Sequence, residues 1–378
     1  MSKLITNTIR HTGASSDSLT FNSDGHATVE NNLTVDGTST LTGAVTVTGD
    51  LTANNYAGRN LITNGAQNID QRGVSTEVTP ANDEYLTDRW NAHRAQASKF
   101  KVQKVTESPT GFTNSLKITS LSAYTSVAAD YFALNQYIEG QDIYHLGWGA
   151  AGAKTVTLSF WVRGSVTGNY AVSLRNDGWN RAQVQSYTIS SADTWEKKSA
   201  TFTGDTGGTW LTTNGRGIAV GFDLGFGSNY EASTGSWVAT NDSTFSGATK
   251  LVATNAATLY ITGVQLEVGS KNTEFEHRSY ADELARCQRY YEGIYMTDGT
   301  ASMKSYASYG SSSNFEYQFA VHKRARPTWA LEGNAAWGGA TPNAYESTSS
   351  CLFQVNDGTL FSLGDAADDL CGSFSAEL

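Results

Sequence analysis

The run Gly147-Trp-Gly149-Ala-Ala-Gly152 spells the GxGxxG fingerprint of a dinucleotide site. That chemistry needs a helix to begin there, because the pyrophosphate rests on helix N-terminal amides. Residues 153–160 read AKTVTLSF, which is strand text, so the glycines mark a loop. No GxSxG elbow, HExxH pair or Walker P-loop occurs. The six histidines (His11, His26, His93, His145, His277 and His322) lack ligand spacing, and Cys287, Cys351 and Cys371 lack CxxC spacing. This argues against structural zinc and a disulfide framework; a Cys351–Cys371 bridge stays open beside a reading as buried thiols. Glycoside hydrolysis needs two carboxylates facing one sugar. Asp83, Glu84 and Asp88 are available, as are Glu267, Glu274 and Glu276, but strand ends routinely carry such charges. No catalytic residue is assigned, and the expectation is a protein that is not an enzyme.

Aromatics in turn-rich text offer different chemistry. Trp148, Trp179, Trp210 and Trp237 lie near Gly, Asn or Ser, and Trp337 sits within Ala335-Ala-Trp-Gly-Gly339. A sugar ring stacks its apolar CH face on an aromatic plane while Asn, Asp and Ser fix its hydroxyls, a mixture normal for concave ligand sites. The ligand-binding candidates are Trp337, Trp329, Tyr345, Trp179 and Trp148, with Trp337 first because small residues flank it. The competing reading packs most of them inside, since aromatics are the chief filler of sandwiches.

The elements that would hold such residues are strands. Only 16% of the 378 residues are charged, against about 25% in an ordinary globular chain. Thr, Ser, Asn and 37 Gly carry the polarity, beside 9 Trp, 18 Tyr and 15 Phe but only 4 Pro, a mixture that favours strands and turns. The net charge of −10 repels phosphate backbones and argues against a nucleic-acid partner. No apolar run approaches the roughly 18 residues of a membrane span, so no membrane insertion is expected. The opening Met-Ser-Lys-Leu-Ile-Thr-Asn lacks the apolar core of a secretory signal.

Residues 29–58 read as short strand pieces between Asp-Gly, Thr-Gly and Gly-Asp turns, with Leu33, Val35, Leu41, Val45, Val47 and Leu51 as their aliphatic side chains. Six such groups at ~2 kcal/mol each cannot offset ~1–2 kcal/mol per residue of backbone ordering in a single copy. Several chains wound on one axis could; the alternative is a disordered Thr/Gly linker. Residues 1–28 show no strong periodicity and suit an anchor segment. Residues 59–278 carry many alternating runs, such as Thr155–Val162 with Val156, Leu158, Phe160 and Val162 on one side, and predict an antiparallel sandwich. A linking helix is expected over 279–293, from the Ser279-Tyr-Ala-Asp282 start to a Gly293 stop. Tyr280, Leu284, Cys287 and Tyr291 would form its seam, meeting copies of itself on an oligomer axis. Residues 294–378 return to strands as a small β tip.

Several short runs in fixed order resemble one known group of proteins. Arg59-Asn-Leu-Ile-Thr-Asn-Gly-Ala66, Asp70-Gln-Arg-Gly73 and Leu86-Thr-Asp-Arg-Trp90 look like the opening of the jelly-roll, carbohydrate-binding-module-like domain of bacteriophage tail fibres. Leu158-Ser-Phe-Trp-Val-Arg163, Asp193-Thr-Trp-Glu-Lys197 and Ile261-Thr-Gly-Val-Gln-Leu-Glu-Val-Gly269 resemble its later strands. Phe275-Glu-His-Arg-Ser279, Glu283–Glu292 and Phe319–Thr328 are similar to the joint and first tip strands, so the resemblance covers roughly 59–330. It implies an all-β, elongated homotrimer on the virion: a fibrous β stem, a jelly-roll sandwich, a short linking helix and a C-terminal β tip. The N-terminus would join the phage tail or an adaptor protein, and the distal domains would bind a bacterial surface polysaccharide. A glycan depolymerase and a purely structural decoration protein are the alternatives. The resemblance also raises a structural calcium near Asn64-Gly65 and Gln265-Leu-Glu267, though no carboxylates cluster there; no other cofactor is expected.

Overall fold

A computed structural model describes residues 8–9, 19–21, 27–29, 58–295, 304–309, 312–331, 343–355 and 370–378. The chain divides into two compact units, residues 1–51 and 52–378. In the first, β1 (Thr8–Ile9), β2 (Leu19–Phe21) and β3 (Ala27–Val29) form a three-stranded antiparallel sheet. The six aliphatic residues assigned to a stem, Leu33 to Leu51, lie outside the described residues.

The second unit is a sandwich. Its first strands are β4 (Glu84–Tyr85), β5 (Trp90–Arg94), β6 (Phe100–Val105), β7 (Ser115–Ser120), β8 (Phe132–Glu139) and β9 (Val156–Gly164). There follow β10 (Gly168–Arg175), β11 (Ala182–Ile189), β12 (Glu196–Phe202), β13 (Arg216–Asp223), β14 (Trp237–Val238) and β15 (Thr258–Val268). Seven strands pair in the order β14-β11-β10-β13-β8-β5-β4, and five in the order β12-β9-β15-β7-β6. Every named pair in both sheets is antiparallel. Alternation sorts the side chains: Val156, Leu158, Phe160 and Val162 of β9 are all fully buried and face the other sheet, as the sequence pattern predicts. Phe160 meets Phe222 edge to face at 5.0 Å and Tyr187 at 5.0 Å, locking the layers together.

The seven-stranded sheet is covered on its other face as well. Asn135, Ser173, Arg175 and Asp223 point away from the apolar core and are still buried, Asn135 completely and the others to within 1%. Asp223 pins the covering segment: its carboxylate accepts from the Gly225 and Phe226 amides (2.6 and 2.8 Å) and from the Thr244 hydroxyl (2.5 Å). Burial lifts this carboxyl to about 6.

Beyond the sandwich the expected helix is shorter than its sequence pattern. α1 (Gly140–Ile143) is a single turn; α2 runs Tyr280–Gln288, with the Ser279 hydroxyl accepting from the Asp282 amide at 3.1 Å. Gly293 does not stop it but lies inside β16 (Tyr291–Tyr295), because the Tyr290-Tyr291-Glu292-Gly293-Ile294 run is β-favouring and finds a pairing partner. The expected helix seam is therefore corrected at Tyr291. Tyr280 is 64% exposed, Leu284 is half-buried, Cys287 is a buried free thiol, and Tyr291 is off the helix beneath the Arg72 guanidinium, 3.6 Å from its ring centroid. The later strands are β17 (Lys304–Tyr309), β18 (Ser312–Gln318), β19 (Thr328–Leu331), β20 (Asn343–Glu346), β21 (Ser350–Val355) and β22 (Leu370–Ser375). They form sheets β16-β22-β19 and β17-β18-β21-β20 around Ile294, Cys351, Phe353 and Phe374.

These strands join the sandwich through charges that are themselves buried. Glu139, 1% exposed, accepts from Arg289 Nε and Nη2 at 2.9 and 2.8 Å and from the Tyr290 hydroxyl at 2.8 Å. Arg89 pairs with Glu377, whose carboxylate raises its pKa against the opposing effect of burial. Inside the tip, Glu292 accepts from Lys323 Nζ and, at 2.8 Å, from the Tyr317 hydroxyl. Removing one partner of a buried pair leaves an uncompensated charge. Lys323→Ala is therefore expected to cost about 3–5 kcal/mol in urea unfolding. The double variant Glu292→Leu/Lys323→Met should recover part of that loss, since it also leaves the Tyr317 hydroxyl and the Ala320 amide without their acceptor.

Candidate ligand-binding pocket

The covered face of the seven-stranded sheet opens at one end into a pocket of about 370 Å³. Its lining is Asp83, Tyr85, Asn91, His93, Tyr137, Trp179, Arg216, Asn241 and Leu378. Alternation explains the set. Trp90 and Ala92 of β5 turn into the core, so Asn91 and His93 turn out; on β8, Leu134 and Ile138 turn in and Tyr137 turns out. Register then brings Tyr85, Asn91, Asn135, Gly221 and Ser173 into one row across five strands. Gly221 is the narrow point of that row. A Cβ there would stand 2.9 Å from Asn135 Oδ1, 3.1 Å from Arg175 Nη2 and 3.1 Å from Ser173 Oγ. Its absence lets the Arg175 guanidinium reach Asn135 Oδ1 at 3.0 Å.

Trp179 enters the pocket from the β10–β11 turn with a left-handed backbone, φ 52°, which non-glycine residues rarely adopt. The Asn176 side chain imposes that turn by accepting from the Asn180 and Arg181 amides (3.0 and 3.1 Å) and donating to the Thr209 carbonyl (3.0 Å). Two guanidiniums lie against the indole, Arg216 at 4.2 Å and Arg175 at 4.5 Å from its centroid, and Tyr137 meets its edge at 6.4 Å. Asp177 pairs with Arg216 at 3.0 Å.

His93 meets Tyr131 in a tilted ring contact at 4.3 Å and approaches Asp83 at 3.8 Å. Burial drives its pKa down to about 4; Asp83 opposes that shift, while Arg175 and Arg216 reinforce it. Burial likewise raises the Tyr85 and Tyr137 phenols, so both stay protonated at neutral pH. The lining thus offers aromatic faces, neutral donors and acceptors, and a guanidinium.

Of the ligand-binding candidates taken from sequence whose side chains are described, Trp179 alone lines this pocket; Asp83, considered there as a carboxylate, lines it too. Trp148 is buried edge to face against Trp210 (4.6 Å) and Trp237 (5.3 Å), with its indole N–H donating to the Lys154 carbonyl at 2.8 Å. Trp329 packs on Phe374 (4.7 Å) and Phe353 (5.0 Å), filling the space that a side chain on Gly372 would need. Trp148 is a core residue, because a turn-rich neighbourhood says nothing about which way an indole points, and Trp329, on β19, is half-buried against the cluster of the later strands. Trp337 and the Tyr345 side chain lie outside the described residues. Sequence reasoning missed Asn91, Tyr137 and Arg216 and passed over His93 as one of six scattered histidines; for Asn91, His93 and Tyr137 the signal was the polar or aromatic residue alternating with core positions on β5 and β8.

The residues considered for calcium do not fit it. Glu267 accepts from Gln265 Nε2 (2.9 Å), the Thr273 amide (2.8 Å) and the Thr273 hydroxyl (2.7 Å), while the Asn64 side chain is bonded to Ile69 and Asp88 main-chain atoms. Among the described residues no three Asp, Glu, His or Cys side chains converge on a metal position, and no helix is long and apolar enough to cross a membrane.

No family model and no curated protein matches the chain. Among solved structures, it is similar to the enzymatically active domain of tailspike protein 4 of bacteriophage CBA120, at 12% identity and a TM-score of 0.32, covering 56% of this chain and 21% of that one. The matched part is about a fifth of the tailspike domain. It is also similar to a family 11 carbohydrate-binding module of a Clostridium thermocellum cellulosomal cellulase (13% identity, TM-score 0.27, 52% of this chain and 97% of that one). A third is TmCBM61 in complex with β-1,4-galactotriose (11% identity, TM-score 0.28, 56% and 99%). Likenesses this distant carry no argument about function.

A histidine whose folded pKa lies below its unfolded value of about 6.5 contributes stability that is whole above about 6.5. That contribution is lost as pH falls from there through about 4, because the unfolded chain binds the proton first. The His93→Gln variant should therefore lose less stability than the parent between pH 7 and pH 4.5 in urea unfolding. In NMR spectra the His93 ring resonances should stay unshifted down to pH 5; a midpoint near 6.5 would refute the neutral assignment.

Proposed function

We propose that the chain is a saccharide-binding attachment protein, and that the pocket on the outer face of the seven-stranded sheet holds the sugar. The observation that carries this reading is the lining itself. Tyr85, Tyr137 and Trp179 supply aromatic surface, and Asn91, Asn241 and His93 supply neutral hydrogen-bonding groups, at the end of a rigid sheet. Sugar rings need that pairing of apolar faces with directional polar partners. At 370 Å³ the pocket is near the small end of the usual range of about 300–1,000 Å³, which suits one or two rings.

The organisation read from sequence extends the proposal. The protein is a bacteriophage tail fibre on the virion, a homotrimer wound on its Thr- and Gly-rich stem, joined to the tail or an adaptor by its N-terminal segment. Its partner is a bacterial surface polysaccharide, and it performs no catalysis. Three tethered copies would turn weak single sites into firm attachment through effective concentration. A depolymerase reading is weaker at this pocket, because glycoside hydrolysis uses two carboxylates facing one sugar. Asp83 is the one carboxylate side chain in the lining, and Asp177 is held by Arg216.

Fluorescently labelled full-length protein should stain susceptible cells and bind their purified polysaccharide without releasing sugar. Trp179→Ala and Tyr137→Ala are each expected to weaken that binding at least about tenfold, or about 1.4 kcal/mol, in protein that keeps its thermal midpoint. Binding lost in Trp337→Ala but kept in Trp179→Ala would move the contact to the tip. Light scattering should give three chains per particle.

A further inference from the structure

We infer that the ligand is an acidic saccharide, one whose carboxylate or phosphate substituent is received by Arg216 under the field of the buried Arg175. This rests on the saccharide reading above and narrows it to one chemical class.

The first observation is a cation without an anion. Arg175 is 1% exposed, yet among the described residues no carboxylate pairs with it. Its Nη2 donates to Asn135 Oδ1 at 3.0 Å and its Nη1 to Asn241 Oδ1 at 3.4 Å, both neutral amides, while Nε has no acceptor. Burial pulls this guanidinium down to about 10, since its phenolic neighbours offset little of the cost. A second guanidinium, Arg216, lies against the same indole and adds to the positive field.

The second observation concerns hydrogen bonds. The atoms left unmatched around this end of the sheet include Arg175 Nε, Arg216 Nε and Asn135 Nδ2. These three are obligate donors; the unmatched His93 Nδ1 and Ser173 Oγ beside them carry no negative charge, and an anionic oxygen is the strongest acceptor a ligand can bring to a guanidinium.

The remaining titratable groups do not reverse the sign. Asp83 and Asp177 have 59% and 42% of their side chains exposed, so water screens them, and Glu377, which acts on Tyr85 at the same rim, is paired with Arg72 and Arg89. His93 is neutral at pH 7, and Tyr85, Tyr137 and Tyr230 keep their protons. Only 17% of the Arg216 side chain is exposed, and it is the cation that lines the pocket. An incoming carboxylate or phosphate would share it with Asp177 as a bidentate partner.

The test uses the full chain on immobilised bacterial surface polysaccharides, acidic and neutral, at 0.05 and 0.5 M NaCl. Retention is expected on acidic polymers, falling at least tenfold at the higher salt. It should fall as far after carboxyl reduction if the charge is a uronate, or after hydrofluoric acid treatment if it is a phosphate. Arg216→Gln should lose tenfold or more, with Arg216→Lys keeping part of the affinity. Equal retention on neutral polymers, or unchanged affinity in Arg216→Gln, overturns the charge assignment and leaves the saccharide reading standing. Retention on no polysaccharide removes both.

Discussion

A strand commits alternate residues to opposite faces, and here one sheet must satisfy two incompatible interiors at once. Towards the five-stranded sheet it presents Trp90, Leu134, Val172, Val220 and Phe222; away from it, at the neighbouring positions, Asn91, Asn135, Ser173, Gly221 and Asp223. The inner set gains by leaving water, roughly in proportion to apolar area. The outer set loses by leaving water unless each polar atom finds a partner. Asp223 succeeds, with three donors on its carboxylate. Arg175 and Asn135 succeed only in part. The fold thus tolerates an incomplete polar network at one end of a layer whose other side is fully packed. Such incompleteness is affordable only where the apolar face supplies a surplus.

Preorganisation follows from the same layer. The indole of Trp179 is on a turn, yet the turn is built like part of the sheet: the Asn176 amide group ties it at both ends, and two guanidiniums flank the ring. A left-handed φ at tryptophan carries a conformational cost of order 1 kcal/mol, which the surrounding bonds must sustain before any ligand arrives. A ring already fixed loses little rotamer freedom on binding, so more of the contact energy remains as affinity.

The sandwich was legible because its signal is periodic. Val156 to Val162 alternate strictly enough to mark a strand with one apolar face, although Thr157 and Ser159 on the other face are buried as well. The helix start was legible through Ser279 and Asp282, which act locally. Its end was not, because the competing claim on Tyr291–Tyr295 comes from β22, about eighty residues later in the chain. The pocket was hidden for a related reason. Trp148, Trp179 and Trp210 have similar turn-rich surroundings in sequence, and only tertiary structure separates one pocket wall from two core fillers. The arginines were overlooked because a guanidinium in strand text reads as a solvated edge, whereas Arg175 is enclosed.

The strands after α2 bear on the pocket more directly than a separate tip would. Leu378 lines it, and the Tyr85 hydroxyl on the same wall donates to the Leu378 main-chain oxygen at 2.8 Å. Next to it, Glu377 is the carboxylate for both Arg72 and the buried Arg89, and Arg324 holds the Ala376 and Glu377 carbonyls at 2.8 and 2.7 Å. Cutting the chain after the sandwich would strip Arg89 of its counter-ion and open one wall of the cavity, so the cost of a buried unpaired charge would fall on the sandwich itself. The sandwich and the later strands are thus one energetic unit at this rim. A change in how β16 and β22 dock would alter the position of Tyr85, and with it the shape offered to a ligand, without touching any residue on the opposite wall.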